Sequence, residues 1–410
     1  MAVLTVVVSG TGLAQATTVT PILRQSGPTD EVPVRQLPAP NATSVESFGS
    51  LAAVRHLPTG NVLVNDQGRR RLLLLDKELK LIRVVADTTL GTGKAYGEQP
   101  AGLLAYRADS TLLVEPASMS MLVIDQDGTI VRTMSVPRPK DVLFLTGGAL
   151  GNPGFDGRDR LVYRAPPDLG GTRPPRLGET PTALTPPDSA AIVRFDLAMR
   201  RLDTAGFVKI PKTNISLTPD ENGRMRVSVA VDPLPVVDDW VVLSDGSVAF
   251  IRGRDYHVDF ITEDGPLNRA ELIPYDWQRM TDDDKVRFLD SAKVIRERQR
   301  VATAGTSNTA SGGRLEPLTW VSASELPDYK PVFGTASIRA DMDAQIWVRT
   351  IATKVRTGGA MHDVIDKRGK LVDRIQTPVA TTIVGFGPGR VVYLGFRDSS
   401  GVHLQRAAAR

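Results

Sequence analysis

One pattern constrains the fold more than any other: a turn, a short apolar strand, a polar loop and a second apolar strand closed by aspartate. It is clearest in Gly60-Asn61-Val62-Leu63-Val64-Asn65-Asp66, then Arg69-Arg70-Arg71, then Leu72-Leu73-Leu74-Leu75-Asp76. The pattern returns as Ser110 followed by Thr111-Leu112-Leu113-Val114 and by Met121-Leu122-Val123-Ile124-Asp125. Sixteen positions separate Gly60 from Asp76 and 15 separate Ser110 from Asp125, so the unit keeps its size. Further copies run through Arg160 to Tyr163 with Ile192 to Asp196, Ser247 to Ile251 with Tyr256 to Ile261, Gln345 to Val348 with His362 to Asp366, and Arg390 to Leu394 with Val402 to Gln405.

Six units joined by Asp-Gly-type turns specify antiparallel hairpins. Several strands are apolar on successive residues, which requires burial of both faces. Sheets stacked radially bury both faces, whereas a two-layer sandwich leaves one wet. The expectation is an all-β chain, a six-bladed β-propeller of four-stranded antiparallel blades, occupying 46–410. The last unit shows three strands, and an open ring would leave a long unpaired edge. Within the N-terminal segment 17–45, Val32 to Leu37 is expected to supply the missing outer strand.

In a four-stranded blade, the loops between second and third strands leave on the same face as the connections to the next blade. The long insertions, 165–188, 211–236, 273–327 and the shorter 351–360, all fall in these two loop types. Insertions gathered on one face of a repeat protein mark a binding face. The insertion between blades 4 and 5 carries the one clear helix, with Thr281-Asp282-Asp283-Asp284 at its N-terminus and Phe288, Leu289, Ala292 and Ile295 as an apolar stripe. Val301 to Arg314 is rich in small polar residues and reads as a loop. The helix reads equally as a lid at the channel mouth or as a rim element.

Residues 1–16 carry no charge, and Ala14-Gln15-Ala16 has the small-x-small form of a signal-peptidase site. The expectation is a signal peptide cleaved after Ala16, although no basic residue precedes Arg24. The apolar run is too short to span a membrane. With no cysteine, disulfides and thiolate sites are excluded, and the combination suits a secreted or periplasmic bacterial protein. Net charge is +4 and aromatics make up 5%, without the clustered basic stripe of a nucleic-acid binder. A monomer taking a protein, peptide or glycan ligand is the expected form.

Chemical motifs are sparse. His56, His257, His362 and His403 lie one to a unit without metal-ligand spacing and read as structural. Asp125-Gln126-Asp127-Gly128 lacks the later ligands of a calcium loop and reads as a turn. Gly91-Thr92-Gly93-Lys94 is no P-loop, Gly385-Phe386-Gly387-Pro388-Gly389 is a hairpin, and no Gly-x-Ser-x-Gly elbow occurs. Arginines do recur after the second strand: Arg69, Arg70, Arg164, Arg252, Arg254, Arg349 and Arg397. Opening onto the insertion-bearing face, they could hold carboxylate or phosphate bidentately, or each could pair with a local acid such as Asp66, Asp255 or Asp398.

The repeats resemble those of NHL-type six-bladed propellers. Arg254-Asp255-Tyr256-His257-Val258-Asp259-Phe260, and Pro327-Asp328-Tyr329-Lys330-Pro331 ahead of Ile346-Trp347-Val348-Arg349, are similar to a group of secreted bacterial propellers. The resemblance covers about Phe48 to Gln405 and implies fold rather than activity. Other six-bladed propellers include metal-dependent lactonases and an amidating lyase. No full ligand set of that kind can be matched here. If the chain were such an enzyme, using a divalent metal at the channel mouth, Glu98, Asp141, Asp238 and Asp239 are the carboxylates to test. Adjacent pairs such as Asp238 and Asp239 also occur as solvated loop residues. No cofactor is expected for the binding alternative.

Overall fold

The computed structural model describes residues 32–89, 96–107, 109–167, 182–184, 186–219, 225–304, 319–351 and 358–409. The signal-peptide expectation, Gly91 to Lys94, and most of 165–188 and 305–314 lie outside them. Six four-stranded antiparallel blades form the body. Their innermost strands are Leu51–His56, Gly102–Ala105, Gly154–Phe155, Asp239–Val242, Ile338–Ala340 and Thr381–Gly387.

The successive apolar residues follow from radial stacking. In blade 1, Val62, Val64, Leu73 and Leu75 pack against Tyr393, Val402 and Leu404 of blade 6. Their neighbours Leu63, Leu72 and Leu74 face the other way, onto Leu113, Leu122 and Ile124 of blade 2. The same division repeats around the ring, so six apolar clusters fill six seams. Buried tyrosine hydroxyls add polar links: Tyr96 donates to Asn65 Oδ1 at 2.8 Å, and Tyr256 to Asp363 Oδ2 at 2.9 Å. In blades 1, 2, 3 and 5 the aspartate closing the third strand caps the turn that follows. Asp76 Oδ1 accepts the Glu78 and Lys80 amides, both at 2.9 Å. Asp125 Oδ1 accepts those of Asp127 and Thr129 at 3.0 and 2.8 Å, so that segment is a turn.

Ring closure differs from the expectation. Val34–Gln36 pairs in parallel with Leu371–Gln376, becoming a fifth strand on blade 5, and Arg35 grips the Asp373 carboxylate. The outer strand of blade 6 is instead Ala42–Phe48, antiparallel to Gly401–Ala408. This strand is polar because an outermost strand is half solvated: Val45 is 87% exposed while Phe48 is 1% exposed. The pairing skips from Thr43–Gln405 to Ser47–His403, and Ser44 Oγ accepts the Leu404 amide at 2.9 Å within that bulge.

The insertions are more ordered than a loop reading implies. Asn214–Pro219 and Met225–Val231 form a hairpin inside 211–236. Thr182–Leu184 pairs antiparallel to the first strand, and Thr319–Trp320 parallel to the second, so three insertions build a seventh sheet. The helix runs Asp282–Ala304, four residues into the expected loop. Its start is a capping box: Thr281 Oγ1 accepts the Asp284 amide at 3.2 Å, and Asp284 Oδ2 accepts the Thr281 amide at 3.0 Å. Leu289 and Phe288 pack with Leu234, Met280, Leu326 and Ile351, while Ile295 from the expected stripe is 55% exposed. No helix is long and apolar enough to cross a membrane, among the described residues.

Candidate functional site

The six innermost strands enclose a channel of about 840 Å³. Its wall mixes apolar side chains such as Leu104, Phe155, Val242 and Phe386 with polar ones, among them Asn65, Asn152, Asp341, Arg55 and Arg339. Arg55 Nε is buried without a hydrogen-bond partner, and burial pushes its pKa down against the field of Asp109. Arg339 sits mid-strand in Ile338–Ala340, opposite Trp347, on the blade 5 face turned toward blade 6. Burial lowers its pKa, repulsion from Arg349 adds to that, and Asp239 opposes it.

The predicted arginines do not form a ring of equals. Arg252 lies half-buried between Asp259 Oδ2 at 2.7 Å and Asp238 Oδ2 at 2.9 Å, a structural bridge. Arg69 donates to the Ser47 carbonyl and hydroxyl, whereas Asp66 is bridged at 3.1 Å by Arg71. Arg254 is engaged as well. Arg164 lies 5.6 Å from the Phe144 ring centroid, its pKa lowered by burial and supported by the field of Asp239. Arg70, at φ +50°, and Arg397 are exposed and meet no carboxylate within salt-bridge distance among the described residues. Asp398 accepts Ser400 and Gly401 amides rather than pairing with Arg397.

Arg349 comes together with Arg339 and with His362. All three line a recess of about 60 Å³ between blades 5 and 6, with Ser337, Trp347 and Thr382. His362 is 6% exposed, and its Nδ1 has no hydrogen-bond partner. The carbonyls of Ala360 and Ile375 lie beside the ring without meeting Nδ1 in hydrogen-bond geometry. Burial, then Arg349 and Arg339, push its pKa down to about 4. The other histidines have partners: His56 Nδ1 meets Tyr393 Oη at 2.8 Å, His257 Nδ1 meets Asp255 at 2.9 Å, and His403 Nε2 meets Ser400 Oγ at 2.8 Å.

The four carboxylates do not converge. Glu98 is exposed. Asp141 is buried and accepts from Arg138 Nε and Tyr163 Oη, both at 2.5 Å. Asp238 is held by Arg252 and by the Lys209 and Gly253 amides. Asp239 is 6% exposed, not solvated: Oδ1 accepts the Trp240 amide at 2.8 Å and Oδ2 lies toward the Ser337 and Ile338 amides without closing a bond. Burial pushes its carboxyl up to about 7. No group of three His, Asp or Glu side chains is placed to hold a metal ion, among the described residues.

Sequence reasoning found Arg349 but missed Arg339. The available signal was a lone charge inside an innermost strand, between Ile338 and Ala340, where an apolar residue is the default.

No family profile and no curated protein matches the sequence. Among solved structures, the chain is similar to a virginiamycin B lyase of Staphylococcus aureus, at 8% identity and TM-score 0.39 over 90% of this chain and 98% of that one. It is also similar to a DUF4221 family member from Bacteroides vulgatus, at 10% identity and TM-score 0.46 over 91% and 96%. A third is the calcium-binding protein regucalcin of Agrobacterium tumefaciens, at 12% identity and TM-score 0.34 over 92% and 97%. The fold assignment rests on the strand pairing and the six seams.

Proposed function

We propose that this chain is an exported, NHL-like propeller that acts as a binding module through its insertion-bearing face, for a protein, peptide or glycan carrying acidic groups. The observation that carries this reading is the seventh sheet. Three separate insertions meet in one four-stranded layer, and a helix packs beside it through Leu289. The turns of the opposite face stay short, as at Leu57–Asn61, Asp125–Thr129 and Asp366–Lys370. Chain length added on one face alone enlarges a recognition surface without altering the ring. Exposed Arg70, Arg349 and Arg397 give that face uncompensated positive charge, suited to carboxylate and phosphate.

The test is a peptide and glycan array probed with wild type, with Arg70→Glu/Arg397→Glu, and with Arg158→Ala. Arg158 bridges Glu263 and Asp264 on the opposite face, so it controls for general charge effects. Acidic array members should bind wild type and the Arg158 variant and lose the double reversal. Acidic binders indifferent to the reversal, or no binders at all, would refute the reading.

A metal-dependent lactonase or lyase remains the second reading, favoured by one observation. Burial pushes the Asp239 carboxyl up to about 7, beside Arg164 and Arg339, in the range a general acid or base requires. It ranks second because its carboxyl does not line the channel.

A further inference from the structure

The recess between blades 5 and 6 combines three features that apolar packing does not explain. First, two guanidinium groups face the same small volume. Arg339 and Arg349 repel each other, and neither meets a carboxylate within salt-bridge distance among the described residues. Like charges held in one recess cost free energy unless an anion lies between them. Second, the His362 ring is 94% buried by its 6% exposure, yet Nδ1 has no partner. A buried polar atom left unpaired is destabilising, and native chains rarely keep one without a ligand or water to meet it. Third, the volume of about 60 Å³ is room for a few waters, and so for an ion of four or five heavy atoms.

The neighbouring groups fit the same reading. Trp347 closes one wall, its ring centroid 6.2 Å from that of His362, and its Nε1 is already committed to Asp341 Oδ2 at 2.9 Å. It therefore does not compete for the recess. Thr382 lies on the blade 6 side, with Thr381, whose hydroxyl donates to the Pro378 carbonyl at 2.7 Å. Asp239 is the carboxylate whose field reaches Arg339; its Oδ1 accepts the Trp240 amide, and it forms no ion pair with Arg339 among the described residues. Arg339 also lines the channel, so the recess and the larger cavity share that side chain as a wall.

We propose that this recess binds a compact oxyanion that accepts hydrogen bonds from Arg339, Arg349 and the neutral His362 ring in its Nδ1–H tautomer. Phosphate and sulfate share the required chemistry: several acceptor oxygens, a size suited to the recess, and charge to relieve the two arginines. The anion arrives either free or as the terminal phosphate of a ligand lying in the channel. The inference deepens the binding reading by naming a chemical group, but it uses a different pocket from the array test.

The test titrates the full chain calorimetrically with inorganic phosphate, sulfate and glucose 6-phosphate, against chloride at matched ionic strength. Wild type should bind phosphate or sulfate saturably, and the His362 imidazole proton resonance should shift on binding. Arg349→Gln is the main variant because Arg349 is exposed and its loss leaves the core intact. It should weaken binding tenfold or more, as should His362→Gln. Tighter binding of the inorganic ion marks a free anion as the ligand; tighter binding of the sugar phosphate marks a group on a larger molecule. No saturable binding beyond chloride, or binding unchanged in both variants, would overturn the proposal. The array experiment, which alters Arg70 and Arg397, would still stand or fall by itself.

Discussion

Replacing Phe48 with alanine should weaken the joint where the ring closes. Phe48 is 1% exposed and packs with Val54, Tyr393, Val402 and Leu404, so it fastens the N-terminal strand that completes blade 6. Deleting a buried phenyl group costs about 3–5 kcal/mol. Unfolding entropy of roughly 2.1 cal/mol/K per residue, over the roughly 330 described residues, gives ~0.7 kcal/mol/K. The melting temperature should therefore fall by about 4–7 °C. Ser44→Ala should have a smaller effect, about 1–3 kcal/mol, because it leaves the buried Leu404 amide without its acceptor. Val45→Ala, in the same strand but 87% exposed, should stay within about 0.5 kcal/mol of wild type. Thermal and urea unfolding of the three variants measure these values, and amide exchange at Leu404 reports the joint directly. Equal stability of the Phe48 and Val45 variants would refute closure by this strand.

His362 and Asp239 should impose opposing pH slopes. Below pH 6.5 the unfolded chain protonates His362 while the native chain resists until about 4, so stability falls by ~3 kcal/mol as pH drops through that window. Asp239 holds its proton up to about 7 when native but releases it near 3.8 when unfolded, so stability falls as pH rises between those values. His362→Gln should uncover the second slope between pH 4 and 6.5, read by urea midpoints; an unchanged profile would contradict the burial of either group. Arg252→Ala should destabilise by about 3 kcal/mol by stranding Asp238 and Asp259, whereas Arg349→Ala should be nearly neutral without ligand, both measured by denaturant unfolding. Melts with chelator and then Ca²⁺, Zn²⁺ or Mn²⁺ should show no shift under the binding reading; a specific reversible rise would favour the enzyme reading.

The ring was legible because its physics is periodic. Leu72 to Leu75 is apolar at every position only if both faces of a sheet meet neighbours, and Asp76 or Asp125 closes a strand because its carboxylate caps the next turn. The closing strand was not legible, since Ala42–Phe48 has one wet face and shows only Phe48 as an anchor. Val34–Gln36 looked more strand-like and is a strand, but its partner lies in blade 5, and pairing choice between distant edges leaves no local mark. At the site, Arg349 could be read from its repeat position. Arg339 and the orphaned His362 nitrogen became visible only when two blades were set side by side.

The pairing of Ala42–Phe48 with Gly401–Ala408 also sets an order in time. Ser44 and Leu404 are 360 positions apart, and synthesis at roughly 5–20 residues per second separates them by about 20–70 s. For that interval the first outer strand has emerged and has nothing to pair with. Its hydrophilic composition, with Thr43, Ser44, Glu46 and Ser47, then has a second use, because a polar edge waits in water without recruiting another chain. A strand made near the start of synthesis is among the last to find its place.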